Sequence, residues 1–285
     1  MAIERLGIVG SGIMGSGIAE VAAKAGVTVV LRSRKQESAD TMVAALGKSL
    51  AKQVDRGKLD QAEADAVQGR VSGTADLEAL ADCDLVVESV VEELDVKRQL
   101  FTELDRIVKP GAILATNTST LPIVEMAVET RRPDRVVGIH FFNPAPAMSL
   151  VEVVRTLVSS DETVAEAVAF AEACGKSPVV VEDRAGFIVN ALLFPYLNNA
   201  VRMLENRTAS RDDIDAAMKG GCGFPMGPLA LLDLVGLDTS VAILDALYTE
   251  FGEPNYSAVP LLRRMVAAGH LGRKSGLGFY DHTKK

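Results

Sequence analysis

The sequence predicts an α/β protein, a doubly wound sheet of the Rossmann type over residues 1–184 followed by a smaller all-helical domain over 185–285. Three observations carry the prediction. Short β-rich runs alternate with amphipathic helical stretches from the N-terminus, a glycine turn joins the first run to the first helix, and the strand runs stop after Asp183.

Alternation of this kind implies parallel strands joined by right-handed crossovers. The strand candidates are Leu6 to Val9, Val27 to Leu31, Leu85 to Val87, Ile113 to Thr116, Val136 to Ile139, Leu150 to Val154 and Pro178 to Val181, with Pro110-Gly111 as a turn. In the first helix, from about Ile13, residues Met14, Ile18, Val21, Ala22 and Ala25 repeat at helical spacing and form one face for a sheet, and Gly26 closes it. Beyond a boundary near 183 to 186 the pattern is helical, around Phe187 to Glu205, Arg211 to Lys219, Leu229 to Phe251 and Leu261 to Ala268. The many large apolar residues there, Phe194, Leu197, Leu231 and Leu234 among them, suit either an intrachain core or a homodimer through the helical domain.

Composition narrows the function classes. A formal charge of -8 argues against nucleic acid, whose phosphates call for a basic face. No apolar run approaches the ~20 residues of a membrane span, and Glu4 and Arg5 interrupt the N-terminus before a signal-peptide core, so the expectation is no membrane and a cytoplasmic location. Cys83, Cys174 and Cys222 are isolated, and His140, His270 and His282 lack metal-ligand spacing, so neither disulfide framework nor metal is expected.

Gly10-Ser-Gly-Ile-Met-Gly15 follows a strand and opens a helix, the context that makes this glycine pattern a dinucleotide-binding turn. Gly10 permits the tight turn, Gly12 lets backbone approach the pyrophosphate and Gly15 lets helix meet strand, with Ile13 and Met14 completing the cradle. An NAD site usually adds an acid at the end of the second strand, for the ribose 2′-hydroxyl. Here Arg32-Ser33-Arg34 stands in its place, two guanidinium groups and a hydroxyl that suit a 2′-phosphate, so NADP is favoured over NAD.

His140 ends a strand at the edge where doubly wound folds keep their active sites, which suits a general base. Glu152 interrupts the apolar run Leu150 to Val154, and a carboxylate inside a buried strand calls for a partner. Paired with His140 it would set the imidazole tautomer; on an edge strand it would merely face water. Asn117-Thr-Ser119-Thr follows another strand end, with Ser119 either a site hydroxyl or the cap of a helix beginning near Pro122. Asn117 is counted with the cofactor site. Asn190 lies early in the first helix of the second domain, where it could face a cleft.

Taken together, the glycine turn, Val86-Val87-Glu88 with Glu92 and Lys97, Asn117-Thr-Ser119, His140-Phe-Phe-Asn-Pro144, Leu150-Val-Glu152-Val, Gly186-Phe-Ile-Val-Asn190, Met226-Gly-Pro228, Gly272-Arg-Lys-Ser-Gly276 and Gly278-Phe-Tyr280 resemble the L-3-hydroxyacyl-CoA dehydrogenases along essentially the whole chain. The compact length is similar to the bacterial 3-hydroxybutyryl-CoA dehydrogenases. The resemblance implies His140 as catalytic base with Glu152 orienting it, and Ser119 and Asn190 on the reacting oxygen of an acyl-CoA. It further implies that Glu92, Lys97, Ser119, Asn143 and Lys274 line the cofactor site, and that Ser49 and Arg56 meet coenzyme A, Arg56 standing where a lysine is expected. Lys48, Lys52 and Arg56 recur along one helical face opposite Leu46, a local basic strip on an acidic protein.

Two other dehydrogenase types fit less well. Tyr280 and Lys284 match the Tyr-x-x-x-Lys of short-chain dehydrogenases but lie in the terminal tail, and the lysine that dehydrogenases resembling 6-phosphogluconate dehydrogenase place four residues before an asparagine is Gly186 here. A non-catalytic, crystallin-like dinucleotide-binding protein is the remaining alternative, against which the Ser119, His140, Glu152 and Asn190 set argues.

Overall fold

A computed structural model of the chain describes residues 3–283, and Lys284 of the tail match lies outside them. The fold divides into two compact units, one ending at Asp183 and one beginning at Arg184.

The first unit is built on an eight-stranded sheet in the order β3-β2-β1-β4-β5-β6-β7-β8. The strands are β1 (Arg5–Val9), β2 (Thr28–Arg32), β3 (Val71–Thr74), β4 (Leu85–Glu88), β5 (Ile113–Thr116), β6 (Val136–Phe141), β7 (Leu150–Arg155) and β8 (Ser177–Glu182). Its helices are α1 (Ile13–Lys24), α2 (Gln36–Asp55), α3 (Gln61–Gly69), α4 (Leu94–Ile107), α5 (Ile123–Ala127) and α6 (Asp161–Ala173). The inner strands are covered on both faces, so β1, β4, β5 and β6 are buried almost throughout and read as unbroken apolar runs. Ile18, Val21 and Ala22 of α1 join Leu6, Ile8, Leu31, Val87, Ile139 and Val151 in the core, while Ala25, past the last turn, is exposed.

Two features depart from the expected parallel sheet. β3 was not expected: it is a short edge strand, Val-Ser-Gly-Thr, with one paired side and no apolar run to mark it. More consequentially, β7 runs antiparallel to β6. Only residues 142–149 separate these strands, and a parallel return needs a dozen or more, so the chain can only turn back. β8 then continues parallel to β7, leaving β7 an inner strand.

The second unit is helical, with α7 (Val189–Glu205), α8 (Arg211–Cys222), α9 (Pro228–Val235), α10 (Leu237–Phe251) and α11 (Pro260–Ala267). Its own core holds Phe194, Leu197, Val201, Leu229, Leu232, Leu244, Leu247 and Leu262. The single helix expected over Leu229 to Phe251 is two, because Gly236 adopts φ +103°, a conformation outside the helix that glycine alone takes at little cost. Two buried carboxylates tie the loops down: Asp215 accepts from the amides of Leu229 and Ala230 and from the Tyr280 hydroxyl, and Asp233 from the amides of Phe279 and Tyr280. Tyr280 is thus a structural hydrogen-bond donor within the helical unit.

Candidate active site

The glycine turn sits at the C-terminal end of β1, with the Gly10 amide donating to the Arg32 carbonyl at the end of β2. Gly10 has φ +135°, and a Cβ there would lie 2.2 Å from the Ser89 carbonyl oxygen; one on Gly15 would lie 2.5 Å from that of Gly10. A Cβ on Gly12 would meet no atom within 4 Å. The first two positions are closed by backbone and the third opens outward, at the head of α1, where no side chain caps the amides. A pyrophosphate fits that arrangement, since the turn offers N–H donors, a helix dipole and no obstructing side chain. Ile13 beside it is exposed and Met14 half-buried. At the end of β2, half-buried Arg32 donates from Nε to the Ala75 carbonyl at 3.4 Å, Ser33 is buried and Arg34 is exposed.

The antiparallel β6 and β7 put His140 directly opposite Glu152. His140 Nδ1 lies 2.8 Å from Glu152 Oε2, and its Nε2 lies 3.1 Å from the Ser119 hydroxyl. His140 is 4 % exposed and Glu152 1 %, so the carboxylate faces the imidazole and not water. An ionised carboxylate only accepts, which assigns the ring proton to Nδ1 and makes Nε2 the basic nitrogen. The Phe142 ring packs against the imidazole, centroids 4.5 Å apart.

Ser119 is carried by the loop after β5. Its amide and the Thr118 hydroxyl both donate to Glu92, the first at 3.0 Å. Asn117 donates its amide to the Glu88 carbonyl, while its side-chain oxygen accepts from the Phe141 amide at 2.8 Å, joining the loop to β6 beside His140. Ser119 does not cap the following helix; the Asp183 carboxylate does, accepting from the amides of Ile123 and Val124.

Beneath the loop, Lys97 holds Glu92 at 3.2 Å and both oxygens of Glu88 at 2.7 and 2.8 Å. Glu88 also accepts from the Thr116 hydroxyl and the Val90 amide. Lys97 is 1 % exposed, its ammonium enclosed between the Glu88 and Glu92 carboxylates. Glu88, Thr116 and Thr118 did not stand out in the sequence as site residues. The available signal was a carboxylate ending the apolar run of β4 with a lysine in the following helix.

The remaining candidates lie elsewhere in their units. On α2, Ser49 donates to Glu20 at 3.1 Å while Lys48, Lys52 and Arg56 are exposed. Burial pushes the Glu20 carboxyl up, and hydrogen bonds from Lys24, Gln53 and Ser49 outweigh it, holding the group below the usual carboxylate range. Asn143 is exposed in the loop after β6. In the helical unit, Asn190 is buried in the first turn of α7, and Lys274 is paired with Asp238 at 2.7 Å. Among the described residues no group of three or more His, Cys, Asp or Glu is placed to hold a metal ion, and no helix is long and apolar enough to cross a membrane.

Residues 5–184 match the family profile of the 3-hydroxyacyl-CoA dehydrogenase NAD binding domain, and residues 186–282 that of the 3-hydroxyacyl-CoA dehydrogenase C-terminal domain. The chain belongs to the 3-hydroxyacyl-CoA dehydrogenase family. Its first unit is therefore a nicotinamide dinucleotide-binding domain. Among members of this family, the chain is 50 % identical to a 3-hydroxybutyryl-CoA dehydrogenase of Mycobacterium tuberculosis over 99 % of both chains. It is 46 % identical to one of Clostridioides difficile, over 98 % of this chain and 100 % of that one. The crystal structure of an (S)-3-hydroxybutyryl-CoA dehydrogenase from Ralstonia eutropha superposes with a TM-score of 0.96 at 42 % identity, covering 99 % of this chain and 100 % of that one.

Proposed function

We propose that this 3-hydroxyacyl-CoA dehydrogenase interconverts short (S)-3-hydroxyacyl-CoA thioesters, 3-hydroxybutyryl-CoA among them, with the 3-ketoacyl-CoA, and that it favours NADP over NAD. The observation that carries the reaction is the imidazole of His140 held between Glu152 at 2.8 Å and Ser119 at 3.1 Å. His140 takes the hydroxyl proton at Nε2 as the hydride leaves carbon 3, and returns it in the reduction. Glu152 fixes the tautomer and stabilises the imidazolium formed on the way. Ser119 and Asn190 hold the reacting oxygen. The nicotinamide, when bound, supplies the hydride acceptor. Gly10, Gly12, Ile13, Met14 and Gly15 cradle its pyrophosphate, with Glu92, Lys97, Asn117, Ser119, Asn143 and Lys274 lining the rest of the cofactor site. On α2, Ser49 and the exposed Lys48, Lys52 and Arg56 are read as the contact for the anionic coenzyme A.

Preference for NADP rests on Arg32, Ser33 and Arg34 at the end of β2, where two cations and a hydroxyl favour a 2′-phosphate. A homodimer through the helical domain belongs to the same reading. Leu192, Phe224 and Leu234, at 71 %, 42 % and 49 % exposure, are large apolar side chains that a partner would take out of water.

The test is an assay of acetoacetyl-CoA reduction with NADPH and with NADH. Oxidation of one or both, lowered in His140→Ala by about two orders of magnitude or more while cofactor affinity is kept, is the expected result. Oxidation of neither favours the non-catalytic dinucleotide-binding alternative, and a strong NADH preference refutes the cofactor choice.

A further inference from the structure

We propose that Glu88 and Lys97 are positioning residues that act on the reaction through Glu92, by fixing the Ser119 loop over His140. The idea rests on the reading of His140 as the base. Ser119 is only half-buried, and its hydroxyl meets His140 Nε2 at 3.1 Å through a single rotatable bond. What holds its backbone is Glu92, which takes the Ser119 amide and the Thr118 hydroxyl on the same oxygen, Oε1. Glu92 has 42 % of its side chain in water, and a long exposed carboxylate on its own samples several rotamers. Its other oxygen, Oε2, is pinned by Lys97 at 3.2 Å.

An ammonium cannot be buried to 1 % exposure without compensation. Glu88 supplies it, bonding Lys97 with both oxygens and being held itself by Thr116 at 2.7 Å and by the Val90 amide at 2.5 Å. Glu88 ends β4, the strand between β1 and β5, so the chain Glu88, Lys97, Glu92, Ser119 runs from the rigid sheet to the hydroxyl beside the base. Every link includes a charged group with a defined partner, and charge-assisted bonds are more directional and less tolerant of displacement than apolar contacts. Lys97 holds the Glu92 carboxylate by Oε2, and the same carboxylate sets through Oε1 where Ser119 stands.

The experiment is a kinetic double-mutant cycle against Ser119→Ala, with amide hydrogen exchange at Ser119 as a second reading. The pair Glu88→Gln with Lys97→Met removes both buried charges together, so neither is stranded. The expected result is a fall in kcat of about tenfold or more with KM for the acyl-CoA changed less than about threefold, and a fall of less than about threefold when Ser119 is already alanine. An equal loss in both backgrounds, or no loss in either, overturns the proposal. Glu92→Ala, at an exposed position that does not disturb the core, is the second arm, in which the Ser119 amide exchanges at least about tenfold faster than in the wild type. Unchanged Ser119 protection in that variant also overturns it. Exchange is read without turnover, so it tests the loop even if the wild type reduces no acyl-CoA, an outcome that instead sinks the reading of His140.

Discussion

Glu152 lies directly across the β6–β7 pair from His140, its Oε2 at 2.8 Å from the imidazole Nδ1. Side chains alternate between the faces of a strand, so a slip of one residue in this pairing would turn Glu152 to the opposite face. The antiparallel turn is what gives the buried carboxylate its partner. Replacing Glu152 with Gln preserves shape but removes the charge that, in the proposed mechanism, stabilises the imidazolium. We expect kcat to fall by about two orders of magnitude or more, with dinucleotide affinity within about threefold of wild type, measured by steady-state kinetics and fluorescence titration.

The cofactor choice is testable at the exposed member of the basic run. Arg34→Ala should raise KM for NADPH by about tenfold, the worth of one charge-assisted bond, and leave KM for NADH nearly unchanged. Equal effects on the two cofactors would show that Arg34 does not read the 2′-phosphate.

Acid should find Asp105. Burial pushes its carboxyl up, and the bonds from Arg131 and Arg132 more than offset that, holding it below the usual carboxylate range. The folded value lies below the unfolded one, near 3.9, so this contribution is fully present above the unfolded value and is lost as pH falls through the folded one. Urea titrations of wild type and Asp105→Asn should show a stability gap at pH 7 that closes below about pH 4. A gap that persists unchanged at pH 3 would contradict the account.

Within the helical unit, Asp233 has no exposed side-chain surface and receives the amides of Phe279 and Tyr280, both at 2.8 Å, with His282 Nε2 at 2.9 Å. Asp233→Ala strands those donors and should cost about 2 to 4 kcal/mol of stability, read from the denaturant midpoint of the full chain. A change within about 0.5 kcal/mol would mean that water replaces the carboxylate.

The thiols should separate by burial. Burial pushes the Cys83 thiol up to about 11 and the Cys174 thiol up to about 12, so neither presents a thiolate near neutrality. Cys222 is exposed. Brief treatment of the native protein with iodoacetamide at pH 7.5 should modify Cys222 alone, as read by peptide mass mapping.

Much of this molecule is legible in its linear pattern. Buried strands such as Ile113–Thr116 are written as apolar runs, α1 as a face with helical spacing, and the dinucleotide turn as Gly10, Gly12 and Gly15, since each depends on neighbours within a turn or a strand. Local pattern fails where an element is polar and marginal, as in β3, or where one residue changes course, as Gly236 does between α9 and α10.

His140, Glu152 and Ser119 are recognisable one at a time in the sequence, His140 and Ser119 at or just after strand ends and Glu152 as a carboxylate inside an apolar run. Their meeting at 2.8 and 3.1 Å, and the burial of Lys97 between Glu88 and Glu92, were decided only by the fold. The strand order and the short antiparallel return at residues 142–149 bring together groups that lie far apart along the chain. The physical reason is range. Periodicity reports which face of an element is apolar, whereas the partner of a buried charge is set by pairing and packing between elements, which no local spacing records.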